Sequence, residues 1–136
     1  MRQTPTEKLI NVVGAVIVRD GQVLCAQRGS EGELSGRWEF PGGKIEPSES
    51  ARAALRREIR EELDCEVQVG EKIISTTHEY DFGLVTLTTY YCSLITGIPK
   101  LTEHAELRWL PRSRLTGLHW APADLPTVKL IMNRSS

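Results

Sequence analysis

The segment between Ser48 and Leu63 constrains the fold more than any other part of the chain. Apolar residues recur there every four positions, which is the spacing of one face of an α-helix. Ser48 is expected to cap this helix, with Glu49 in its first turn. The pattern predicts an amphipathic helix that ends near Leu63, with an apolar stripe formed by Ala51, Leu55, Ile59 and Leu63.

Segments typical of β-strands lie on both sides of this helix. Asn11–Arg19 and Gln22–Arg28 flank the dipeptide Asp20-Gly21, which is the strongest short hairpin signal. Strands on both sides of two helices predict a mixed α+β domain. The remaining predicted elements are a loop at Gly29–Gly36, strands at Trp38–Phe40, Val67–Thr77, Leu84–Thr96 and Glu106–Leu110, and a helix from after Pro122 to about Met132, with Pro126 in its first turn.

Charge and hydropathy exclude several classes of protein. Lysine plus arginine is 17 and aspartate plus glutamate is 18, so the formal net charge is −1. A chain this close to neutral has no global field that would hold it on extended nucleic acid or an acidic membrane. Its longest apolar run, Val12–Val18, is too short to cross a bilayer, and residues 1–8 lack the features of a secretion signal. We expect one cytoplasmic domain over residues 1–136.

The cysteines and histidines do not have the spacing of a metal or disulfide site. Three cysteines, an odd number, are far apart and are expected to be reduced thiols packed as small apolar groups. The three histidines share no ligand spacing and are expected to face solvent or to be structural. These residues are Cys25, Cys65 and Cys92, and His78, His104 and His119.

Three carboxylates are crowded on the charged face of the predicted helix. Glu58, Glu61 and Glu62 stand at positions i, i+3 and i+4, so they lie one turn apart on one face. Like charges at these spacings repel, and the helix dipole disfavours anions in the last turns. An oxygen-loving dication would remove that penalty, and Mg²⁺ or Mn²⁺ suits such a ligand set.

A solvated helix with surface ion pairs is the alternative interpretation of these charges. Arg57–Glu61 and Arg60–Asp64 are both opposite-charge pairs at i, i+4. The turn Pro41-Gly42-Gly43 favours a site instead, because its glycines leave the backbone able to approach a metal or a phosphate closely.

This stretch resembles the Nudix box, whose pattern is G-x5-E-x7-R-E-U-x-E-E-x-G-U with U apolar. The residues from Gly43 through Glu49 and Arg57 to Cys65 match every fixed position except one, where Asp64 replaces glycine. Asp64 would lie just past the helix in a left-handed conformation, which aspartate adopts at modest cost. We expect this departure to affect local stability more than chemistry.

The resemblance extends to Val12–Arg28, Trp38–Glu46 and Trp120–Pro126, which are similar to MutT-type nucleoside triphosphate pyrophosphohydrolases, above all the CTP pyrophosphohydrolase branch. It implies a Nudix-type α/β/α sandwich with a mixed central sheet. It also implies Mg²⁺-dependent hydrolysis of nucleoside triphosphates to a monophosphate and pyrophosphate, with cytidine-type or modified pyrimidine nucleotides as substrates. The alternatives are an 8-oxo-dGTP diphosphatase and a non-catalytic nucleotide sensor. The chain is expected to act as a monomer or weak homodimer.

The resemblance also implies roles for individual residues near the metal. Arg57 and Glu49 would form an ion pair that, with Gly43, supports the site. Either Glu58 or Glu103 would be the general base, and the sequence does not choose between them. The implied metal ligands are the Gly42 carbonyl and the carboxylates of Glu58, Glu61, Glu62 and Glu103, with Glu58, Glu61 and Glu103 as the catalytic set.

Four residues are candidates for substrate binding. Arg28 and Lys44 would contact the phosphates or sugar, although a surface arginine at a strand end is equally common. Phe40 would present its ring or backbone to the base, although an aromatic residue in a strand is more often part of the core. Asp124 would select the base, since an ionised carboxylate accepts hydrogen bonds from an exocyclic amine. The alternative role for Asp124 is a plain helix N-cap.

Overall fold

The computed structural model describes residues 8–134. The prediction that the chain lacks a secretion signal therefore concerns residues that, except for Lys8, lie outside the described range. Within that range, no helix combines the length and apolar character needed to cross a membrane.

Across residues 8–134, seven strands form one sheet in the order β3-β2-β1-β6-β5, with β4 paired to β1 and β7 paired to β2. Every pairing is antiparallel except that of β1 with β6, so the sheet is mixed. The elements are β1 (Leu9–Arg19), β2 (Gln22–Gln27), β3 (Trp38–Glu39), β4 (Gly42–Lys44), α1 (Ala51–Leu63), β5 (Glu66–Tyr80), β6 (Gly83–Thr96), β7 (Glu106–Pro111) and α2 (Leu125–Met132).

The strand β1 holds the sheet together because it has three partners. Its end pairs with β2 across the predicted turn, where Asp20 and Gly21 both have positive φ. Its middle pairs with β4 from Val12 to Gly14, and nearly its whole length runs parallel to β6. The predicted hairpin is therefore confirmed. The same strand, β1, also pairs with the glycine-containing strand β4, which precedes α1.

Two helical layers cover the sheet, one on each face. Alternate residues of β1 point to opposite sides, so Val13, Ala15 and Ile17 pack with α1, whereas Val16 packs with α2. The predicted stripe on α1 is buried at Leu55, Ile59 and Leu63, and Ala51 packs against the same core. The α/β/α arrangement with a mixed central sheet is confirmed.

The prediction for the start of α1 is wrong by two residues. Ser50, not Ser48, caps the helix, and its hydroxyl accepts a hydrogen bond from the Ala53 amide. Ser48 has φ +69°, so it belongs to the preceding turn. Glu49 therefore lies before the helix, where its carboxylate is free to bind Arg57 instead of interacting with the helix dipole.

Two other expectations are corrected. Gly42 and Gly43 do not merely form a turn: with Lys44 they form strand β4, since their lack of side chains lets the backbone pair closely with β1. Arg60 does not pair with Asp64, because its guanidinium binds Glu66 on β5 at 2.6 Å. Asp64 pairs with Lys100 and adopts the expected left-handed conformation, with φ +54°.

The cysteines are free and buried, as predicted. Burial raises the pKa of the Cys25 and Cys92 thiols to about 12, which keeps them protonated and unreactive. Of the histidines, His119 is exposed, whereas the side chain of His104 is almost completely buried.

Candidate active site

The last two turns of α1 present the predicted carboxylates beside a single arginine. Arg57 lies on the same face and its Nη1 contacts Glu58 at 3.1 Å and Glu61 at 3.3 Å. The Arg57–Glu61 pair is therefore present as predicted. Glu58 is mostly buried, whereas Glu61 is exposed. One guanidinium thus partly neutralises a face that would otherwise be strongly repulsive.

Arg57 also connects the helix to the loop before it. Its Nε donates to Glu49 at 2.7 Å, and its Nη2 donates to the Lys44 carbonyl at 3.0 Å. The hydrogen bonds from Arg57 and from the Glu46 amide lower the pKa of Glu49 to about 2, so Glu49 stays ionised. The ion pair implied by the resemblance is present, and it fixes β4 relative to α1.

The two glycines of β4 are required by the close approach of backbone and carboxylates. A Cβ added at Gly43 would overlap the Glu58 carboxyl group, and one added at Gly42 would overlap the Val13 carbonyl. The Gly42 amide donates to the Glu62 carboxylate at 3.3 Å. Any side chain at these two positions would therefore push β4 away from β1 or from the helix.

A loop after β6 brings Glu103 to the same place. The Lys100 amide donates to the Leu63 carbonyl at 2.8 Å, and the Thr102 hydroxyl donates to the Glu62 carbonyl, so the loop is attached to the end of α1. Glu103 is exposed and lines a cleft together with Glu62. We call Glu58, Glu61, Glu62 and Glu103 the acidic cluster.

Burial and repulsion raise the pKa of two carboxylates of the acidic cluster, Glu58 and Glu62. Burial raises the pKa of Glu62 to about 8, and neighbouring carboxylates act in the same direction. Burial also raises the pKa of Glu58, and the charges of Glu61 and Glu103 add to this effect while Arg57 opposes it. Carboxylates that resist ionisation next to one another are poised to accept a proton or a cation.

The acidic cluster fits a hard divalent cation by its chemistry. Across residues 8–134, no three His, Cys, Asp or Glu side chains are gathered into a preformed metal cluster. The available donors are carboxylate oxygens, which Mg²⁺ and Mn²⁺ prefer. A cation held by Glu58 and Glu62 would offset the burial and the repulsion that together raise both pKa values.

Two residues beside the cluster were not predicted from the sequence. Glu39 on β3 accepts a hydrogen bond from Arg28 at 3.0 Å and lies 3.0 Å from His104 Nε2. Burial lowers the pKa of His104, but the hydrogen bond and charge of Glu39 outweigh burial and raise it. The spacing of Glu39 and His104, 65 positions apart, carries no sequence signal for this contact.

Arg28 was predicted to contact the substrate and lines the candidate site, but its guanidinium already makes hydrogen bonds to other groups of the protein. Its Nε donates to the Glu33 carbonyl at 3.0 Å, and its Nη1 pairs with Glu39. Arg28 lines both the cleft at Glu103 and a second cavity. Lys44 is exposed at the edge of that second cavity.

This second cavity has a volume of about 470 Å³ and reaches from Glu62 across residues of β1 and β6. Glu62 and the two glycines of β4 line one part of it. The other part, which we call the aromatic end, is lined by Phe40, Tyr80, Phe82 and Asp124. Its volume is in the range of ordinary small-molecule sites.

Phe40 and Asp124 meet at the aromatic end. The Phe40 ring is buried against Trp120, with ring centroids 4.8 Å apart, so the expectation of a core aromatic is confirmed. The Phe40 amide donates to Asp124 Oδ2 at 3.0 Å. Asp124 stands at the N-cap position of α2, as the alternative role predicted, but its side chain makes no capping hydrogen bond to the helix. Burial raises the pKa of Asp124 well above its ordinary value, and the charge of Glu39 adds to this.

Comparison with known proteins identifies this arrangement. The NUDIX domain family matches residues 12–130, which include β4, α1 and the aromatic end. The chain belongs to the Nudix family. The CTP pyrophosphohydrolase of Escherichia coli K12 is 41% identical over 125 residues, covering 92% of this chain and 93% of the relative.

Other Nudix relatives carry different names. A Mycobacterium tuberculosis protein with the provisional name 8-oxo-dGTP diphosphatase 2 is 42% identical over 120 residues, covering 83% of this chain and 81% of that protein. The solved structure of the DNA mismatch repair protein MutT, a Nudix hydrolase from methicillin-resistant Staphylococcus aureus 252, has 53% identity and a TM-score of 0.79. The match covers 96% of this chain and 100% of the chain in that solved structure.

These relatives confirm the MutT-type resemblance and the class of enzyme. The chain is a Nudix hydrolase that acts on phosphoric anhydride bonds, so the non-catalytic sensor is not supported. Nudix hydrolases generally use divalent metal ions and act on small nucleotide substrates.

Proposed function

We propose that this Nudix hydrolase cleaves nucleoside or deoxynucleoside triphosphates to the monophosphate and pyrophosphate, with a preference for cytidine-type or modified pyrimidine bases. The observation that carries this proposal is one cavity that is lined by the carboxylates of Glu39 and Glu62 and also by the buried Asp124 among aromatic side chains. With a divalent cation bound at the carboxylates, such a cavity would suit a ligand with an anionic part and a flat ring. The 41% identity to a CTP pyrophosphohydrolase supports the choice of base.

The acidic cluster would hold the cation, with the Gly42 carbonyl as a further ligand. When bound, Mg²⁺ or Mn²⁺ supplies positive charge beside the phosphates and lowers the pKa of water. Glu58, Glu61, Glu62 and Glu103 provide the carboxylates, and Arg57 and Glu49 keep them aligned with β4. Holding such groups in place matters, because a misplacement of about 1 Å can cost about 100-fold in rate.

Either Glu58 or Glu103 would accept the proton of the water that attacks the β-phosphorus. The pKa of Glu58 is raised by its burial, which brings it closer to the value that suits a general base. Glu103 is exposed and reaches the same cleft from a loop. Arg28 and Lys44 line the cavity wall, where their charge would favour the phosphates or sugar.

Asp124 would choose the base. An ionised Asp124 accepts hydrogen bonds only, which favours the exocyclic amine of cytosine. A second candidate, 8-oxo-dGTP, is favoured by the raised pKa of Asp124, because a protonated carboxyl group could donate to an oxidised guanine. The M. tuberculosis relative bears a name of that kind.

A substrate panel tests the proposal. Purified protein is incubated with Mg²⁺ and CTP, dCTP, 5-methyl-dCTP, UTP, GTP or 8-oxo-dGTP, and products are separated by ion-exchange chromatography. We expect the cytidine-type nucleotides to give the highest kcat/KM, with monophosphate and pyrophosphate as products and no turnover after chelation of the metal. A higher kcat/KM for 8-oxo-dGTP would favour the second candidate, and release of orthophosphate would contradict the proposed site of attack.

A further inference from the structure

Tyr80 reaches from the β5–β6 hairpin to the segment that carries Asp124. It is the last residue of β5, it lines the cavity, and its ring is stacked on Phe82 with centroids 5.0 Å apart and planes within 6°. Its hydroxyl oxygen accepts a hydrogen bond from the Ala123 amide at 2.8 Å. The side chain therefore joins two segments that are more than 40 residues apart.

The position of Asp124 depends on the short 3₁₀ turn, Pro122–Asp124, to which Tyr80 is bound. The Asp124 amide donates to the Ala121 carbonyl at 3.0 Å, and its carboxylate makes no capping bond to α2. The carboxylate is instead held by the Phe40 amide. Since the side chain has no anchor in its own helix, a shift of the Ala123–Asp124 backbone would move the carboxylate within the cavity.

The Tyr80 hydroxyl retains a proton that it can donate. A phenol that accepts one hydrogen bond still has its own O–H to offer. Burial raises the pKa of Tyr80, and the nearby charge of Asp124 acts in the same direction, so the phenol stays neutral. The Asp124 carboxylate, engaged through Oδ2, still has acceptor sites on its other oxygen.

We propose that Tyr80 determines base specificity in two ways. Its hydroxyl oxygen holds the Asp124 turn by accepting a hydrogen bond from the Ala123 amide, and its O–H donates a hydrogen bond to the same base whose amino group donates to Asp124. An acceptor beside a donor complements cytosine, which presents an amino group next to the ring acceptor N3. Uracil presents the opposite order and would leave both protein groups mismatched. This inference rests on the proposed function only for the identity of the ligand.

The test compares Tyr80→Phe, which removes one oxygen and keeps the ring, with the matched variant Tyr91→Phe. Tyr91 lies under the Arg134 guanidinium and outside the cavity. Calorimetry without metal gives Kd for CMP and UMP, and steady-state assays give kcat and KM for CTP and UTP. We expect Tyr80→Phe to weaken CMP binding and raise the KM for CTP by about 3- to 10-fold. Binding of UMP, kcat and every property of Tyr91→Phe should change by less than about 2-fold.

Hydrogen exchange separates the holding of the turn from the reading of the base. Loss of the acceptor in Tyr80→Phe should speed exchange of the Ala123 amide and leave that of the Trp38 amide unchanged, since Trp38 is bonded to His119. Equal losses for CMP and UMP, an unchanged Ala123 amide, or wild-type protein without preference for CMP would each overturn the inference. Selective binding of CMP without turnover of CTP would contradict the proposed function alone.

Discussion

Glu62 of the acidic cluster lines the same cavity as the aromatic end, but the cluster and the aromatic end are assembled in different ways. Three of the four carboxylates in the cluster come from five consecutive residues of α1, and the helix itself sets their spacing. The aromatic end combines β3–β4, the β5–β6 hairpin and the turn before α2. A single helix can therefore preserve the proposed chemistry while distant segments change the choice of base. Variants of the cluster should affect all nucleotides alike, whereas variants of the aromatic end should change their ratio.

The largest effect is expected from removing a charge of the acidic cluster. Glu62→Gln and Glu58→Gln should each lower kcat/KM by more than about 100-fold for every triphosphate, because the cation and the water lose their alignment. Steady-state assays with CTP and UTP measure this, and the ratio between the two substrates should stay constant. Glu66→Gln is the matched control, since Glu66 binds Arg60 away from the cavity. If Glu62→Gln changed the ratio of kcat/KM for CTP to that for UTP, the acidic cluster would also influence base choice, and the proposed division of roles would be wrong.

The second-largest effect is expected on the free energy of unfolding, which should depend on pH because of Glu62. The pKa of Glu62 is about 8 in the folded protein, so between its ordinary value of 4.5 and about 8 the folded state retains a proton that the unfolded state has lost. The metal-free protein should therefore lose stability as the pH rises through that window, by a few kcal/mol at most.

Calorimetric Tm values from pH 5 to 8.5 in chelator measure this loss. Glu62→Gln should flatten the decline and raise Tm at pH 8, and Mg²⁺ should raise Tm of the wild type far more than that of the variant. A variant that is both inactive and less stable than the wild type at pH 8 would show that Glu62 serves folding instead of cation binding.

A smaller effect is expected at the aromatic end. Asp124→Asn keeps the shape of the side chain but replaces an acceptor with an amide that can also donate. We expect the ratio of kcat/KM for CTP over UTP to fall by about 10-fold, with kcat for the better substrate changed much less. Competition assays with both nucleotides in one reaction give this ratio directly. Equal losses for the two substrates would indicate that Asp124 supports the fold of the cavity without reading the base.

The smallest effect concerns the departure from the Nudix box. Asp64 has φ +54° and an exposed pair with Lys100, so Asp64→Gly should relieve backbone strain at little electrostatic cost. The free energy of unfolding should rise by about 0.5 kcal/mol, with kcat/KM and the base ratio unchanged. Urea denaturation measures the first quantity. An altered kcat/KM would mean that the helix end transmits strain to Glu62.

The difference between the acidic cluster, which one helix provides, and the aromatic end, which distant segments provide, also explains which features could be predicted from the sequence. The stripe on α1, the carboxylate spacing and the Asp20-Gly21 hairpin depend on local periodicity, and each was predictable from neighbouring residues. The helix start was misplaced because Ser48 and Ser50 are both suitable caps, and only the turn geometry chooses between them. The contacts of Glu39 with His104 and of Tyr80 with Ala123 join residues that the sequence does not connect, so no local pattern indicates them.

The parallel pairing of β1 with β6 has a consequence for how the molecule opens. Leu9 pairs with Leu84, and residues of both strands line the cavity, together with the turn at Asp124 near the end of the described chain. Such long-range closures form slowly and involve nearly the whole chain. A nucleotide bound there, as proposed, would contact the first strand, the β5–β6 hairpin and the turn before the last helix at once. Its binding free energy should therefore oppose global unfolding, so that amides far from the cavity exchange more slowly when the ligand is present.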